Sequence, residues 1–214
     1  MNKYKVILFD LDGTILDTSV GIAKSINTAF LQNGYKELDG DEIKNFIGPP
    51  VQDSFLKYLN LSKEEAWRLA TDFRAIYIKD YLFEAALYNG LMELLIALKS
   101  KNYKLAIATS KREDYTKTIL KHFDLYDLFD VIKGSDYEGK LTKSDIVKCV
   151  INQFPNYGKG DFVMIGDTEH DRNGSVNNEI DFIGVTYGFG FMSKDDNNQD
   201  TLFVNNAQEL AELF

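Results

Sequence analysis

Residues Val6 to Thr14 read VILFDLDGT, four apolar residues that stop abruptly at Asp10. A short run with β-branched members and no apolar–polar alternation fits a strand buried on both faces, as in a parallel sheet. Three later stretches repeat the pattern. Leu105 to Ala108 ends at Thr109-Ser110, and Phe162 to Ile165 ends at Gly166-Asp167. A weaker candidate runs from Phe182 to Val185. Gly90 to Lys101, Arg112 to Phe123 and Thr142 to Ile151 carry apolar residues at helical spacing, and Ala207 to Phe214 reads as a last short helix. Strands alternating with helices predict an α/β fold with a doubly wound parallel sheet.

Residues 16 to about 85 break the alternation. Ser19 to Phe30, Asp41 to Phe46, Val51 to Tyr58 and Lys63 to Phe83 all read as helices, with no convincing strand among them. The expected organisation is a helical subdomain, residues 17–85, inserted into a core made of 1–16 and 86–214. Gly48-Pro49-Pro50 would form a rigid turn inside the insertion. Tyr77, Tyr81 and Phe83 are expected to pack within its helices. Ser193 to Asp200, SKDDNNQD, reads as a polar loop.

The 214 residues carry 24 Lys+Arg against 33 Asp+Glu, a net charge of −9. That balance argues against broad nucleic-acid or anionic-membrane binding, which needs basic surface. An anionic substrate must then be attracted by local cations. Cys149 is the one cysteine, which excludes an intrachain disulfide framework, fits a reducing compartment and is expected in the core. There is no secretory pattern at the start, and no apolar stretch approaches the roughly 18 residues of a membrane helix. A cytoplasmic protein is expected.

Chemistry concentrates at the predicted strand ends, where open α/β sheets bind ligands. Asp10 and Asp12, two residues apart in extended chain, can point the same way, and Gly13 lets the chain fold back. Such a pair can divide the roles of nucleophile and proton donor. Taken alone, DLDGT reads equally well as an Asp-rich turn. In Gly166-Asp167-Thr168-Glu169-His170-Asp171 two carboxylates stand one turn apart and could hold a hard cation, Mg²⁺ being usual where phosphate is handled. Asp167 could instead cap the following helix. Thr109-Ser110-Lys111 places hydroxyls and amides at a helix start, and Lys143 offers a point charge for a dianion. His170 reads as a residue at the edge of such a site.

Other chemistries find little material. No G-x-S-x-G elbow occurs, and two histidines leave little for a Ser-His-Asp triad. Gly139-Lys140 is followed by Leu141 and not by the Ser or Thr of a P-loop, and Gly188-Phe189-Gly190 lacks the third glycine of a dinucleotide fingerprint.

The order DLDGT, Thr109, Lys143, GDTEHD, each near a strand end or helix start, resembles the haloacid dehalogenase (HAD) superfamily over nearly the whole chain. The helical insertion looks like that superfamily's C1 cap, and the subgroup looks like the phosphoglycolate phosphatase-like hydrolases. The resemblance implies that Asp10 attacks phosphorus and forms an aspartyl-phosphate. Asp12 would protonate the leaving oxygen, then take a proton from the hydrolytic water. It implies Mg²⁺ bound by Asp10, the Asp12 carbonyl and Asp167, with Asp171 assisting nearby. Thr109 would hold the transferring phosphoryl group, with backbone N–H groups around Leu11 and Ser110, and Lys143 would neutralise charge. Asp12, lying among acids, should have a raised pKa.

The second Asp of the first motif favours phosphoryl chemistry over dehalogenation. Ser144-Asp145 follow Lys143 where the family's sugar-phosphate mutases usually carry prolines. Arg112 and the segment GSDYEGKLTK, Gly134 to Lys143, also depart from the commonest phosphoglycolate phosphatase pattern. The implied reaction is hydrolysis of a small phosphorylated metabolite. Open alternatives are a nucleotidase or pyrophosphatase, a β-phosphoglucomutase-like mutase, and a non-catalytic phosphate-ligand-binding module. Substrate choice is expected in the cap, around Gly48-Pro49-Pro50, with hinges near Leu16-Asp17 and Ala85-Asn89.

Overall fold

Strand β1, Val6–Phe9, has no accessible surface at any of its four residues. It belongs to a computed structural model that describes residues 3–40, 42–48, 51–191 and 201–214. Two compact units emerge, Met1–Asp17 with Leu87–Phe214, and Thr18–Ala86. Two short strands, β2 (Leu16–Asp17) and β3 (Ala86–Leu87), pair with each other where the chain passes from one unit to the next and back.

The unit Thr18–Ala86 is helical: α1 (Ser19–Gln32), a 3₁₀ turn (Ile43–Phe46), α2 (Val51–Leu59) and α3 (Lys63–Ile76). Helix α3 starts at a reciprocal cap, Ser62 Oγ accepting from Glu65 N while Ser62 N donates to Glu65 Oε2. An aromatic cluster fills the centre. Phe30 lies 5.6 Å from Phe55 and 6.0 Å from Phe46, ring centre to ring centre. The expected helix Lys63 to Phe83 is not continuous: after Ile76 a wider π-helical turn, Tyr77–Tyr81, takes over. Tyr77 stacks on Phe73 as expected, but Phe83 is exposed, beyond that turn. Leu16–Asp17 is a strand where none was expected. Asp41, Pro49 and Pro50, and the expected loop Ser193 to Asp200, lie outside the described residues.

The second unit continues with α4 (Leu91–Ser100), β4 (Lys104–Arg112), α5 (Glu113–His122), β5 (Val131–Ser135), α6 (Lys143–Ile151) and β6 (Phe162–Gly166). It ends with α7 (Glu169–Asn177), β7 (Asp181–Val185), β8 (Leu202–Val204) and α8 (Ala207–Ala211). Six strands form one parallel sheet in the order β5-β4-β1-β6-β7-β8. Leu8 pairs with Ala106 on one side and Met164 on the other, so the three motif-bearing strand ends are neighbours. Val6, Leu8, Ala106, Ala108, Phe162 and Met164 present one face to Ile146, Val147 and Val150 of α6. Ile7, Phe9, Leu105, Ile107, Val163 and Ile165 on the other face are equally inaccessible. Burial on both faces is why these strands read as unbroken apolar runs.

Strands β5 and β8 were not expected. β5 reads VIKGS, with two apolar residues at an exposed edge of the sheet, and β8 is three residues long. Strand β4 runs four residues past its apolar segment, and its pairing with β5 is irregular between Ala108 and Arg112. Cys149 is half-buried rather than core. It lines an open groove of about 440 Å³ beside β5, with Lys133 and Gln153 among its neighbours.

Candidate active site

Asp10 follows β1 and its amide donates to Ile165 O at 2.9 Å, which extends the pairing with β6 one residue beyond the strand. The chain then wraps around the Leu11 carbonyl, which accepts from the amides of Thr14, Ile15 and Leu16 at 3.3, 2.9 and 3.0 Å. Gly13 makes this turn possible at φ 82°, a left-handed conformation that favours glycine. A Cβ there would also fall within 3.0 Å of the Asp167 carboxylate.

Asp167 and Asp171 come from the end of β6 and the first turn of α7. The helix is capped by Thr168, not by Asp167. Thr168 N and Oγ1 both donate to Asp171 Oδ2, at 3.0 and 2.7 Å. Gly166 gives Asp171 its room, since a Cβ at that position would meet the Asp171 side chain. Asp167 Oδ2 accepts from Phe189 N at 2.7 Å, and Oδ1 accepts from Thr14 Oγ1 at 3.3 Å. Lys143, at the start of α6, reaches Asp10 Oδ1 at 2.8 Å and Asp171 Oδ1 at 2.7 Å. The geometry around Asp171 Oδ1 is that of a charge contact rather than a directed hydrogen bond. Asp10, Lys143, Asp167 and Asp171 are all buried.

This packing governs protonation. Burial pushes the Asp10 carboxyl up, Lys143 draws it down, and Asp171 and Asp12 raise it again, leaving it at about 6. Asp167 is driven well above the ordinary range by burial and then by Asp171 and Asp10, with only the Phe189 amide and the more distant Lys143 opposing. For Lys143, burial disfavours the ammonium, but Asp10 and Asp171 outweigh it and raise its pKa. The hydroxyl of Tyr88 is also pushed up, by burial and then by Asp17, Asp167 and Asp12.

The expected acidic surroundings of Asp12 are not what the structure provides. Lys111 Nζ lies 2.9 Å from both Asp12 carboxylate oxygens, so its nearest charged neighbour is a cation. In the sequence Lys111 merely follows Thr109-Ser110, and nothing there marks it for this role. The irregular end of β4 carries it to Asp12. Thr109 is buried there, its hydroxyl accepting from Lys111 N at 3.2 Å, while Ser110 is exposed and Leu11 is buried. His170 is exposed on the first turn of α7. Gly48 belongs to the helical unit, next to Pro49 and Pro50 outside the described residues. Thr14 stands inside DLDGT, yet only the folded chain aims it at Asp167. The Phe189 amide left no sequence signal.

One carboxylate oxygen from each of Asp10, Asp167 and Asp171 can be chosen so that all lie within 4.8 Å of one another. Lys143 serves Asp10 and Asp171, and Asp167 has no ion-pair partner among the described residues. A buried carboxylate without a cation is costly, and three hard oxygen donors are the donor set that Mg²⁺ or another hard divalent cation accepts. The residues therefore fit a divalent metal. No helix among the described residues is long and apolar enough to cross a membrane.

Comparison with known proteins identifies the family. Residues 7–185 match the haloacid dehalogenase-like hydrolase family model. A 5'-nucleotidase of Pseudomonas aeruginosa is 34% identical over 88% of this chain and 85% of its own. A tyrosine-protein kinase, PtkA, of Mycobacterium tuberculosis is 31% identical over 98% and 71%. A phosphoglycolate phosphatase of Aquifex aeolicus is 31% identical over 78% of each chain. A crystal structure of a predicted phosphatase from Clostridium acetobutylicum superposes with a TM-score of 0.90 at 37% identity, covering 98% of this chain and 97% of that one. The chain belongs to the haloacid dehalogenase-like hydrolases and is a phosphoric monoester hydrolase.

Proposed function

We propose that the protein is a Mg²⁺-dependent, cytoplasmic phosphatase that hydrolyses a small phosphate monoester of the phosphoglycolate type through an aspartyl-phosphate. One observation carries the reading. The two acids of a single loop are held in different environments, Asp10 buried against Lys143 and beside Asp167, Asp12 two residues on and paired with Lys111. Environments that separate two carboxylates allow them separate tasks.

An Asp10 oxygen attacks phosphorus and the bond to the leaving oxygen breaks; Asp12, which must take up a proton in exchange for its pairing with Lys111, supplies the proton that oxygen takes up. Water then attacks the aspartyl-phosphate, Asp12 removes its proton, and inorganic phosphate and the Asp10 carboxylate are released. Thr109, with amides of Leu11 and Ser110, binds the phosphoryl oxygens, and Lys143 neutralises charge shared between Asp10 and the phosphate. Asp10, the Asp12 carbonyl, Asp167 and Asp171 hold or support the Mg²⁺, which supplies positive charge that lets a dianion approach three acids. Residues 17–85 serve as the C1 cap, and Gly48-Pro49-Pro50 as the part that selects the leaving group.

A nucleoside 5'-monophosphate is the second reading of the substrate, favoured by the 34% identity to a 5'-nucleotidase. The test is phosphate release from p-nitrophenyl phosphate with Mg²⁺ and with EDTA. A panel of phosphoglycolate, sugar phosphates, nucleoside monophosphates and pyrophosphate then follows. Release that EDTA abolishes is expected. Hydrolysis unaffected by EDTA contradicts the metal role, and no release from any substrate shifts the reading to a mutase or binding module.

A further inference from the structure

Two glycines after β7, in Tyr187-Gly188-Phe189-Gly190, sit where almost no other residue fits. A Cβ on Gly188 would come within 3.0 Å of the Gly13 carbonyl and of both Cβ and Oδ2 of Asp167. A Cβ on Gly190 would come equally close to the Asp167 carbonyl. Between and after them, two amides grip one residue. Phe189 N donates to Asp167 Oδ2 at 2.7 Å, and Phe191 N donates to Asp167 O at 2.9 Å. The segment is tied to the DLDGT loop as well, because Tyr187 Oη donates to Thr14 O at 2.9 Å while Thr14 Oγ1 donates to Asp167 Oδ1. Tyr187 is braced in turn by Tyr88, ring centres 4.7 Å apart.

We propose that Tyr187–Phe191 is a positioning element that presents the Asp167 carboxylate to a divalent cation. The physical reason lies in the charges. Asp167 is buried beside Asp10 and Asp171, which repel it, and no described cation pairs with it. Left to a free rotamer, its carboxylate would turn away from the other two. The Phe189 amide removes that option, and it can approach so closely only because residue 188 has no side chain. Partners of metal-ligating groups orient them and tune affinity in this way.

The inference rests on the metal reading above, so its test reads metal binding rather than turnover. Mn²⁺ affinity is measured by electron paramagnetic resonance on wild type, Gly188→Ala, Tyr187→Phe and Gly160→Ala, with the metal-free Tm of each. A Cβ on Gly160 would meet nothing within 4 Å, so that variant serves as control. Gly188→Ala is expected to weaken Mn²⁺ about 10- to 100-fold. Tyr187→Phe, which loses a single hydrogen bond and keeps the ring, is expected to weaken it about two- to tenfold while lowering Tm by only a few degrees. Gly160→Ala should bind as wild type does. Wild-type affinity in Gly188→Ala overturns the inference. If Gly188→Ala does not fold, wild-type affinity in Tyr187→Phe overturns it. Absence of Mn²⁺ binding in wild type itself removes the metal reading, and this inference with it.

Discussion

The two units of the chain bury different things. Thr18–Ala86 buries apolar and aromatic side chains, with Phe30, Phe46 and Phe55 at its centre, and no charged side chain among its described residues. The α/β unit buries Asp10, Lys143, Asp167 and Asp171 together at the ends of parallel strands. Helices packed on one another need only complementary apolar faces, so their cores are neutral. A parallel sheet instead aligns the carboxyl ends of strands far apart in sequence, and backbone groups there are turned toward whatever lies beyond the ladder. Chemistry collects where strands stop, and substitutions in the two units should fail in different ways.

The largest separation is expected for Asp10→Asn. Loss of the proposed nucleophile should lower kcat by about 10⁴-fold or more, while thermal unfolding shifts by only a few degrees. Steady-state kinetics with p-nitrophenyl phosphate checks the first and calorimetry the second; near-normal turnover sinks the mechanism. Lys143→Met should lose both activity and stability, because it leaves Asp10 and Asp171 buried without their cation. Breaking one side of a buried ion pair costs about 3–5 kcal/mol, so a urea titration showing less than about 1 kcal/mol would remove Lys143 from the charge balance.

Phe55→Ala tests the other unit. Phe55 is fully buried against Phe30 and Phe46, and truncation of such a ring costs about 3–5 kcal/mol. Hydrogen exchange should rise across Thr18–Ala86 while amides of the central strands β1, β4 and β6 stay protected. Uniform loss of protection over the whole chain contradicts separate packing of the two units.

The smallest effect is assigned to Asp130, before β5, whose carboxylate takes Leu105 N at 3.0 Å, Lys99 Nζ at 2.9 Å and Lys104 Nζ at 3.0 Å. Burial opposes its charge, but these three donors outweigh burial and hold its pKa below 3.8. A depressed folded-state pKa contributes stability above the unfolded value, and that stability is lost as pH falls through the folded one. Asp130→Asn should therefore cost about 1 kcal/mol at neutral pH. The gap from wild type should shrink as pH drops below 3.8. A gap that persists in acid would assign the loss to packing instead of charge.

How much was legible follows from burial. β1, β4 and β6 read clearly because both faces are covered, so every residue had to be apolar. β5 did not, because an edge strand with Lys133 half in water needs no such run. Among the candidate site residues, Asp10, Thr109 and Asp167 stood out because each follows the end of an apolar run, whereas Asp12, Lys143 and Asp171 joined them through the order of motifs that resembles the family. Lys111, Thr14 and the Phe189 amide did not, since each owes its place to a partner across the sheet.

The sequence by itself determined the alternation of strands and helices, the helical insertion and the acids at strand ends, because local periodicity and abrupt changes of polarity encode them. Only tertiary structure decided which charges face each other. Lys143 is shared between Asp10 and Asp171, Lys111 pairs with Asp12, and Asp167 is held by a backbone amide 22 residues further on. Parallel pairing sets those neighbours through register and crossover, and Coulomb energies that vary inversely with distance leave no mark on a chain read one residue at a time.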